Sequence, residues 1–241
     1  MPDDHRILCT RPLPASLIRQ AATHGVHIEV HAFIRIQSVI TPAAAAVISK
    51  LASQPATVIF TSSNAVTAVS ELLQTQSDRG TQWQLYCLQG ATLDTVWQYF
   101  DGQQVIATTA YSKELAYQLL NDKPEGPLLF FCGDQRRDEL PDTLAAGGLA
   151  LQEYQVYQTV ATPVALPTAY QGVLFFSPSA VTSYFSMNAL PPSAVCFAIG
   201  HTTAGALLPY TSADRIIVCK RPGTNEMIQT VIEYFDHNNN Y

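Results

Sequence analysis

Charged residues are scarce in this sequence, and neither sign is concentrated in one stretch. Lys and Arg together number 13 against 19 Asp and Glu, which gives a formal net charge of -6. No run of Lys or Arg could neutralise a phosphate backbone, so the sequence argues against a nucleic-acid partner. A polyanionic small molecule stays possible as a ligand, provided that local donors hold it. The low charge content also argues against a disordered chain.

Cysteine is present but never clustered. The five cysteines, Cys9, Cys87, Cys132, Cys196 and Cys219, lie far apart, each inside an apolar run. No CxxC pair or Cys/His cluster has metal-ligand spacing, and an odd number of isolated cysteines argues against a disulfide framework. We therefore expect buried thiols, no bound metal and a cytoplasmic protein.

The sequence also lacks a long hydrophobic run and the common cofactor motifs. The N-terminal segment MPDDHRILCTRP is acidic and contains no apolar stretch long enough for a signal peptide or a membrane span, so no membrane partner is expected. GxGxxG, GxxxxGKS/T, HExxH and GxSxG are all missing, which argues against NAD, ATP, catalytic zinc and a hydrolase serine. We expect no cofactor, and any chemistry must depend on positioning of the substrate.

What is present is a series of short apolar runs, each followed by a small polar cluster and a stretch with helical spacing. Uniformly apolar runs predict parallel strands buried on both faces, and their alternation with helices predicts an α/β protein. The runs are ILCT (7–10), VIFT (58–61), LYCL (85–88), LLFFC (128–132), VLFF (173–176), VCFAI (195–199) and IIVC (216–219).

The strand and helix series occurs twice along the chain. VIFTSSNAVT, which starts at Val58, aligns with VLFFSPSAVT, which starts at Val173, and six residues are identical in register. The segments that start at Ile7 and Phe130 align in the same way. Weaker repeats pair LYCLQGATLDTV with VCFAIGHTTAGAL and segment 112–120 with segment 224–232. The pattern predicts two similar domains, for which 241 residues suffice.

Extended segments, rather than a Gly/Ser linker, separate the copies. Segments 31–39 and 154–164 each follow the first strand-helix-strand of a copy, so we expect them to pair as a two-stranded β connector. The chain would then cross twice between domains. One predicted domain comprises 1–33 with 163–241, and the other comprises 38–158. The predicted fold is α/β, with two parallel sheets flanked by helices and joined by this connector.

Candidate binding residues follow the predicted strands. Ligands of parallel α/β sheets bind beyond the carboxyl ends of the strands, where helix N-termini present free N–H groups. A hydroxyl residue at such a point can also be a simple N-cap, and a glycine a tight turn. The number of these residues favours a ligand with many carboxylates. They are Thr61, Ser62, Ser63, Gly90, Thr92, Ser177, Ser179, Gly200, Thr202 and Thr203.

Three larger polar side chains lie in the same regions. Tyr157 is an aromatic hydroxyl on the predicted connector; it either faces a ligand or covers the edge of the core. Arg11 and Arg137 occupy equivalent loops of the two copies. Each guanidinium either binds a carboxylate in bidentate fashion or is solvated at the surface.

Six motifs, in order along the chain, resemble those of the uroporphyrinogen-III synthase family: TRP (10–12), FTSSNAV (60–66), CGDQRRDEL (132–140), VYQTV (156–160), FFSPSAV (175–181) and AIGHTTAGAL (198–207). The resemblance implies a monomeric two-domain enzyme that closes hydroxymethylbilane to uroporphyrinogen III. The terminal hydroxyl leaves as water, and the last pyrrole ring is inverted through a spiro intermediate. A free bilane instead closes spontaneously to the wrong isomer.

The resemblance also implies roles for individual residues. Tyr157 matches the family tyrosine proposed to assist loss of the hydroxyl, and Thr92 and Thr203 match threonines that are expected to be catalytic. The sequence departs from the family pattern at Gln89, where a glycine is usual. The alternative is a catalytically inactive binding or regulatory protein on the same fold. Substrate contacts are expected from Arg11, Thr61, Ser62, Ser63, Gly90, Gly133, Arg137, Ser177, Ser179, Gly200 and Thr202.

Overall fold

The computed structural model describes residues 4–75, 80–166 and 170–238. The chain divides into two compact units. Unit 1 lies within Met1–Arg35 and Val160–Tyr241, and unit 2 is Ile36–Thr159. Each unit contains one sheet with helices on its faces.

The strands alternate with helices along almost the whole chain. The strands are β1 (His5–Cys9), β2 (Val26–Val30), β3 (Ile34–Ser38), β4 (Ala56–Phe60), β5 (Trp83–Leu88), β6 (Val105–Thr109), β7 (Leu128–Gly133), β8 (Leu151–Ala161), β9 (Gly172–Phe175), β10 (Val195–Ala198) and β11 (Ile216–Val218). The helices are α1 (Ala15–Ala22), α2 (Pro42–Ala52), α3 (Ser63–Gln74), α4 (Ala91–Tyr99), α5 (Ser112–Asp122), α6 (Glu139–Ala146), α7 (Pro178–Phe185), α8 (His201–Leu207) and α9 (Thr224–Asn238).

The two sheets have equivalent strand orders. The five-stranded sheet of unit 1 runs β11-β10-β9-β1-β2, and the six-stranded sheet runs β3-β8-β7-β4-β5-β6. Strands aligned by the sequence repeat occupy equivalent places, since β9, β10 and β1 correspond to β4, β5 and β7. Each of these six strands pairs in parallel with the strands on both sides of it. The α/β class and the parallel sheets predicted from the sequence are confirmed.

Burial on both faces explains why the central strands are apolar throughout. All five residues of β4 are buried. Val58 and Phe60 pack into a core formed with α2, α3 and α4, whereas Ile59 packs into a second core with α5 and α6. Burying one such side chain contributes roughly 1.5 to 3 kcal/mol. In unit 1, Ile7 and Leu8 are divided between two cores in the same way.

The two predicted connector segments do lie side by side. β3 is the neighbour of β8 in the six-stranded sheet. The Val39 N–H donates to the Val156 carbonyl at 3.1 Å, and the Thr162 N–H donates to the Phe33 carbonyl at 2.9 Å. The residue numbers of these pairs change in opposite directions, so the segments run antiparallel. The pair does not stand alone, because β8 also pairs in parallel with β7 and so extends the sheet.

Candidate functional site

The carboxyl edge of the six-stranded sheet carries a cavity of about 380 Å³. Parallel strands end at the same edge, so the residues that follow β4, β6 and β7 meet there with the last part of β8. Five of the residues singled out in the sequence line this cavity: Thr61, Ser62, Gly133, Arg137 and Tyr157. All of them belong to unit 2.

Tyr157 is fixed at the cavity wall by its hydroxyl and by its strand. The phenol O–H donates to Ser62 Oγ at 3.0 Å. The pairing of β7 with β8 shifts by one residue at this point, so that Cys132 lies opposite Gln155 but Gly133 lies opposite Tyr157. Such a bulge changes the direction in which a side chain points. Here it places the tyrosine ring over the Gly133 backbone.

Gly133 leaves the space that the Tyr157 ring occupies. A Cβ added at Gly133 would lie 2.3 Å from Cζ and 2.7 Å from the hydroxyl oxygen of Tyr157. Carbon atoms in contact are normally separated by about 3.5 to 4.0 Å. Any larger residue at this position must therefore displace the ring, the strand, or both.

The loop between β7 and α6 is tied to β8 on either side of Tyr157. Asp134 Oδ1 accepts the Thr159 N–H at 2.9 Å, and Arg136 Nε lies 2.6 Å from Glu153 Oε2. Arg136 also forms an ion pair with Asp138. Burial acts to lower the pKa of the Arg136 guanidinium, but its partners Asp138 and Glu153 outweigh that effect and raise it. This arginine is therefore held charged beside the cavity.

Sequence reasoning missed Arg136 and Tyr111 as cavity residues, and it recognised Ser112 only as a hydroxyl residue at the start of the helix of segment 112–120. Arg136, Tyr111 and Ser112 line the cavity together with the predicted residues. Arg136 could have been found, because it stands beside Arg137 in the motif CGDQRRDEL. Tyr111 follows β6, and that strand was not recognised in the sequence, so nothing marked Tyr111 as a strand-end residue.

Three other predicted residues of unit 2 lie apart from the cavity lining. Ser63 is the first residue of α3. Gly90 precedes α4 with φ 71° and ψ -138°, a backbone conformation that a side chain disfavours, so the turn itself requires a glycine. Thr92 is in the first turn of α4 and only 7% exposed.

In unit 1, the guanidinium of Arg11 is held by contacts with an aromatic ring and with a hydroxyl. Its guanidinium lies over the Phe176 ring at 4.0 Å from the ring centre, and Nη2 donates to Thr224 Oγ1 at 2.5 Å. Burial lowers the pKa of Arg11, although a guanidinium stays protonated in proteins. Within the described part of the chain, its buried Nε has no hydrogen-bond partner. Arg11 is thus a half-buried cation at the start of α9. The N-terminus of this helix also favours a negative charge, so both features suit a bound anion.

The remaining predicted residues of unit 1 lie at helix N-termini. Ser177 caps α7 by accepting the Ala180 N–H at 3.2 Å, just as Ser62 caps α3 by accepting the Asn64 N–H at 3.2 Å. Both serines therefore act as helix N-caps. Ser179 lies within the first turn of α7.

The first turn of α8 contributes a glycine and two threonines. Gly200 caps the helix with an extended backbone, φ -178°, and a Cβ added there would meet nothing within 4 Å. Neither backbone strain nor crowding thus requires a glycine at this position. Thr202 is exposed, whereas Thr203 is only 2% exposed.

Thiol and metal chemistry find no support in the described ranges 4–75, 80–166 and 170–238. No group of three or more His, Cys, Asp or Glu side chains is placed to hold a metal ion there. Cys132 lines the cavity, but burial, assisted by the charge of Glu153, raises its pKa to about 11. At neutral pH it is therefore a thiol and a poor nucleophile.

Two equivalent parallel α/β sheets, with hydroxyl residues and glycines at their carboxyl edges, define a duplicated α/β protein. The fold is similar to the crystal structure of uroporphyrinogen-III synthetase from Helicobacter pylori, with a TM-score of 0.68 and 15% identity over 95% of this chain and 99% of that chain. It is also similar to a mutant uroporphyrinogen III synthase from the extremely thermophilic bacterium Thermus thermophilus, with a TM-score of 0.60 and 13% identity over 97% and 99%.

The sequence itself identifies the family. The family model for uroporphyrinogen-III synthase HemD matches residues 15–229. The chain therefore belongs to the uroporphyrinogen-III synthase family, whose members are cyclising lyases that act on a small-molecule tetrapyrrole. A comparison with curated protein sequences found no match. Among the helices that the structure describes, none is long and apolar enough to cross a membrane.

Proposed function

We propose that this protein cyclises hydroxymethylbilane, with loss of water and inversion of the terminal pyrrole ring, to give uroporphyrinogen III in tetrapyrrole biosynthesis. The observation that carries the proposal is the family match over residues 15–229. It is supported by a cavity in which Tyr157, the residue that matches the family tyrosine, lies beside a cluster of donors.

The first chemical step is loss of the terminal hydroxyl. The electron pair of the pyrrole nitrogen expels the hydroxyl, which takes up a proton and leaves as water, and loss of the pyrrole N–H proton then leaves a neutral azafulvene. Tyr157 is proposed to assist this departure with its phenol. A positioned proton donor typically contributes about 10²- to 10⁴-fold to such a step.

Ring inversion depends on the shape in which the bilane is held. The substituted carbon of the last ring attacks the exocyclic methylene of the azafulvene, and the resulting spiro intermediate fragments and recloses. No additional reagent is consumed, so the protein must restrict a flexible substrate to one reactive arrangement. Hydrogen bonds to charged groups supply about 1.5 to 3 kcal/mol each, and many weak contacts can therefore fix the chain.

Substrate carboxylates are proposed to bind at the carboxyl edges of the sheets. The half-buried guanidinium of Arg11 and the donors around the unit 2 cavity support this assignment. Thr92 and Thr203 are proposed as catalytic residues. Both are nearly buried, and each lies in the first turn of its helix, α4 and α8 respectively. The proposed binding residues are Arg11, Thr61, Ser62, Ser63, Gly90, Gly133, Arg137, Ser177, Ser179, Gly200 and Thr202.

Further features of the protein are proposed from its composition and its two compact units. The net charge of -6, without a basic run, supports an enzyme that does not bind nucleic acid, and five isolated buried thiols suit the cytoplasm. We propose a monomer without cofactor. The two compact units support domain limits of 1–33 with 163–241 and 38–158, with 31–39 and 154–164 as the connector.

The isomer composition of the product tests the reaction. Hydroxymethylbilane generated in place should give mainly the type III isomer with this protein and mainly type I without it. A protein that only binds the bilane would leave type I dominant, which would support the inactive alternative.

Replacing Tyr157 with Phe tests the role of the phenol. The substitution keeps the ring over Gly133 but removes the hydroxyl, so kcat should fall by about 10²-fold while the protein stays folded. Steady-state kinetics and circular dichroism of the variant measure both. An unchanged kcat would remove Tyr157 from the mechanism.

A further inference from the structure

The contact between Tyr157 and Ser62 determines which way the phenol faces. Ser62 Oγ accepts the Tyr157 O–H at 3.0 Å and the Asn64 N–H at 3.2 Å. A hydroxyl oxygen has two acceptor sites, so these two donors occupy both. The phenol oxygen is therefore held within hydrogen-bond distance of Ser62 Oγ at the cavity wall.

Ser62 has little freedom to move. It is the N-cap of α3, a helix of 12 residues, with φ -144° and ψ 133°. The Asn64 N–H, which its side chain accepts, belongs to the first turn of the helix. The Ser62 carbonyl in turn accepts the N–H groups of Ala65 and Val66. The start of α3 thus sets the position of Oγ, and Oγ sets the position of the phenol.

The strand side of Tyr157 is equally restrained. The bulge between β7 and β8 aims the ring at Gly133, whose missing Cβ leaves the ring its place. Contacts from Asp134 to Thr159 and from Arg136 to Glu153 hold β8 on either side. Ser62 is the partner that restrains the hydroxyl itself.

We infer that Ser62 is a positioning residue for Tyr157. It fixes the position of the phenol oxygen in the resting enzyme and so sets the direction in which Tyr157 meets the hydroxymethyl end of the bilane. The inference rests on the proposed function of Tyr157. Ser62 also lines the cavity, so direct contact with the substrate is the competing role that an experiment must separate.

A double-mutant cycle separates the two roles. We expect Ser62→Ala to lower kcat about tenfold, because the phenol loses its partner, with KM changed less than about twofold, because the other proposed substrate contacts remain. In the Tyr157→Phe background the same substitution should lower kcat no further, since the partner hydroxyl is already gone. Ser62→Thr keeps a hydroxyl that can cap the helix and should restore most of kcat.

A second helix of the same unit provides the control for the effect of losing an N-cap. Thr41 caps α2 by accepting the Ala44 N–H at 3.2 Å, and it lies outside the site. Thr41→Ala should lower the urea midpoint as Ser62→Ala does, because each variant loses an N-cap, but leave kcat unchanged.

Three outcomes overturn the inference. An equal loss of kcat from Ser62→Ala in the wild-type and Tyr157→Phe backgrounds assigns Ser62 to the substrate, and a rise in KM alone does the same. An equal loss of kcat from Thr41→Ala assigns the effect to a frayed helix. Failure of the proposed function has a different signature, because the wild-type chain would then form no excess of type III product.

Discussion

Replacing Gly133 with Ala should disable the protein through Tyr157. The new Cβ would lie 2.3 Å from Cζ and 2.5 Å from Cε2 of the ring. Relief to an ordinary carbon contact requires a movement of at least about 1 Å. The ring cannot retreat freely, because it also packs against the core formed with α3. A hydrogen bond of 3.0 Å to Ser62 does not survive such a shift unweakened.

The expected cost follows from these contacts. Overpacking costs about 1 to 3 kcal/mol, and a lost neutral hydrogen bond adds about 1 kcal/mol. We therefore expect the free energy of unfolding to fall by about 2 to 4 kcal/mol and kcat to fall at least to the level of Tyr157→Phe. Urea denaturation and steady-state kinetics measure the two effects.

Two further variants make the prediction specific. Tyr157→Ala removes the ring, so adding Gly133→Ala to it should cost almost no further stability. Gly102 begins a short 3-10 helix, and a Cβ there would meet nothing within 4 Å, so Gly102→Ala should change stability by less than about 0.5 kcal/mol. If Gly133→Ala were as costly without the Tyr157 ring as with it, the steric explanation would be wrong.

Three other predictions follow from the structure. Arg11→Met keeps an apolar stem over the neighbouring ring but loses the charge, so KM should rise about tenfold or more with kcat little changed; an unaltered KM would contradict a carboxylate contact. Gly200→Ala should leave the melting temperature unchanged, because space and backbone permit it, yet raise KM if substrate approaches there; unchanged kinetics would dismiss that approach. Burial raises the pKa of the Cys9 and Cys87 thiols to about 11, so the folded state holds more protons than the unfolded state above about pH 8.5. Stability should therefore fall as the pH rises from there to about 11, and a urea midpoint that stays constant over this range would contradict the assignment.

The central strands could be predicted because burial on both faces leaves little choice of residue. VIFT and LLFFC coincide closely with β4 and β7, which lie at the middle of their sheet. Strand β6, with the sequence VIATT, escaped recognition. It is an edge strand with a single neighbour, and its residues are only partly buried, so its sequence need not be uniformly apolar.

The site was predicted as a set of residues but not as an arrangement. Strand ends and helix starts are visible in sequence, which is why Ser62, Gly133 and Tyr157 were singled out. Their mutual contacts were not visible, because Ser62 and Tyr157 are separated by 95 residues and a one-residue bulge decides which side chain faces Gly133. The domain limits and the roles of the individual site residues stay predictions.

The dependence of the product on protein concentration tests the central claim most directly. With hydroxymethylbilane supplied at a constant rate, increasing amounts of this protein should convert the product from type I to type III until type I disappears, while total uroporphyrinogen stays constant. If type III does not increase, or if the bilane is merely withheld from cyclisation in proportion to the protein added, the chain is not a uroporphyrinogen-III synthase in function.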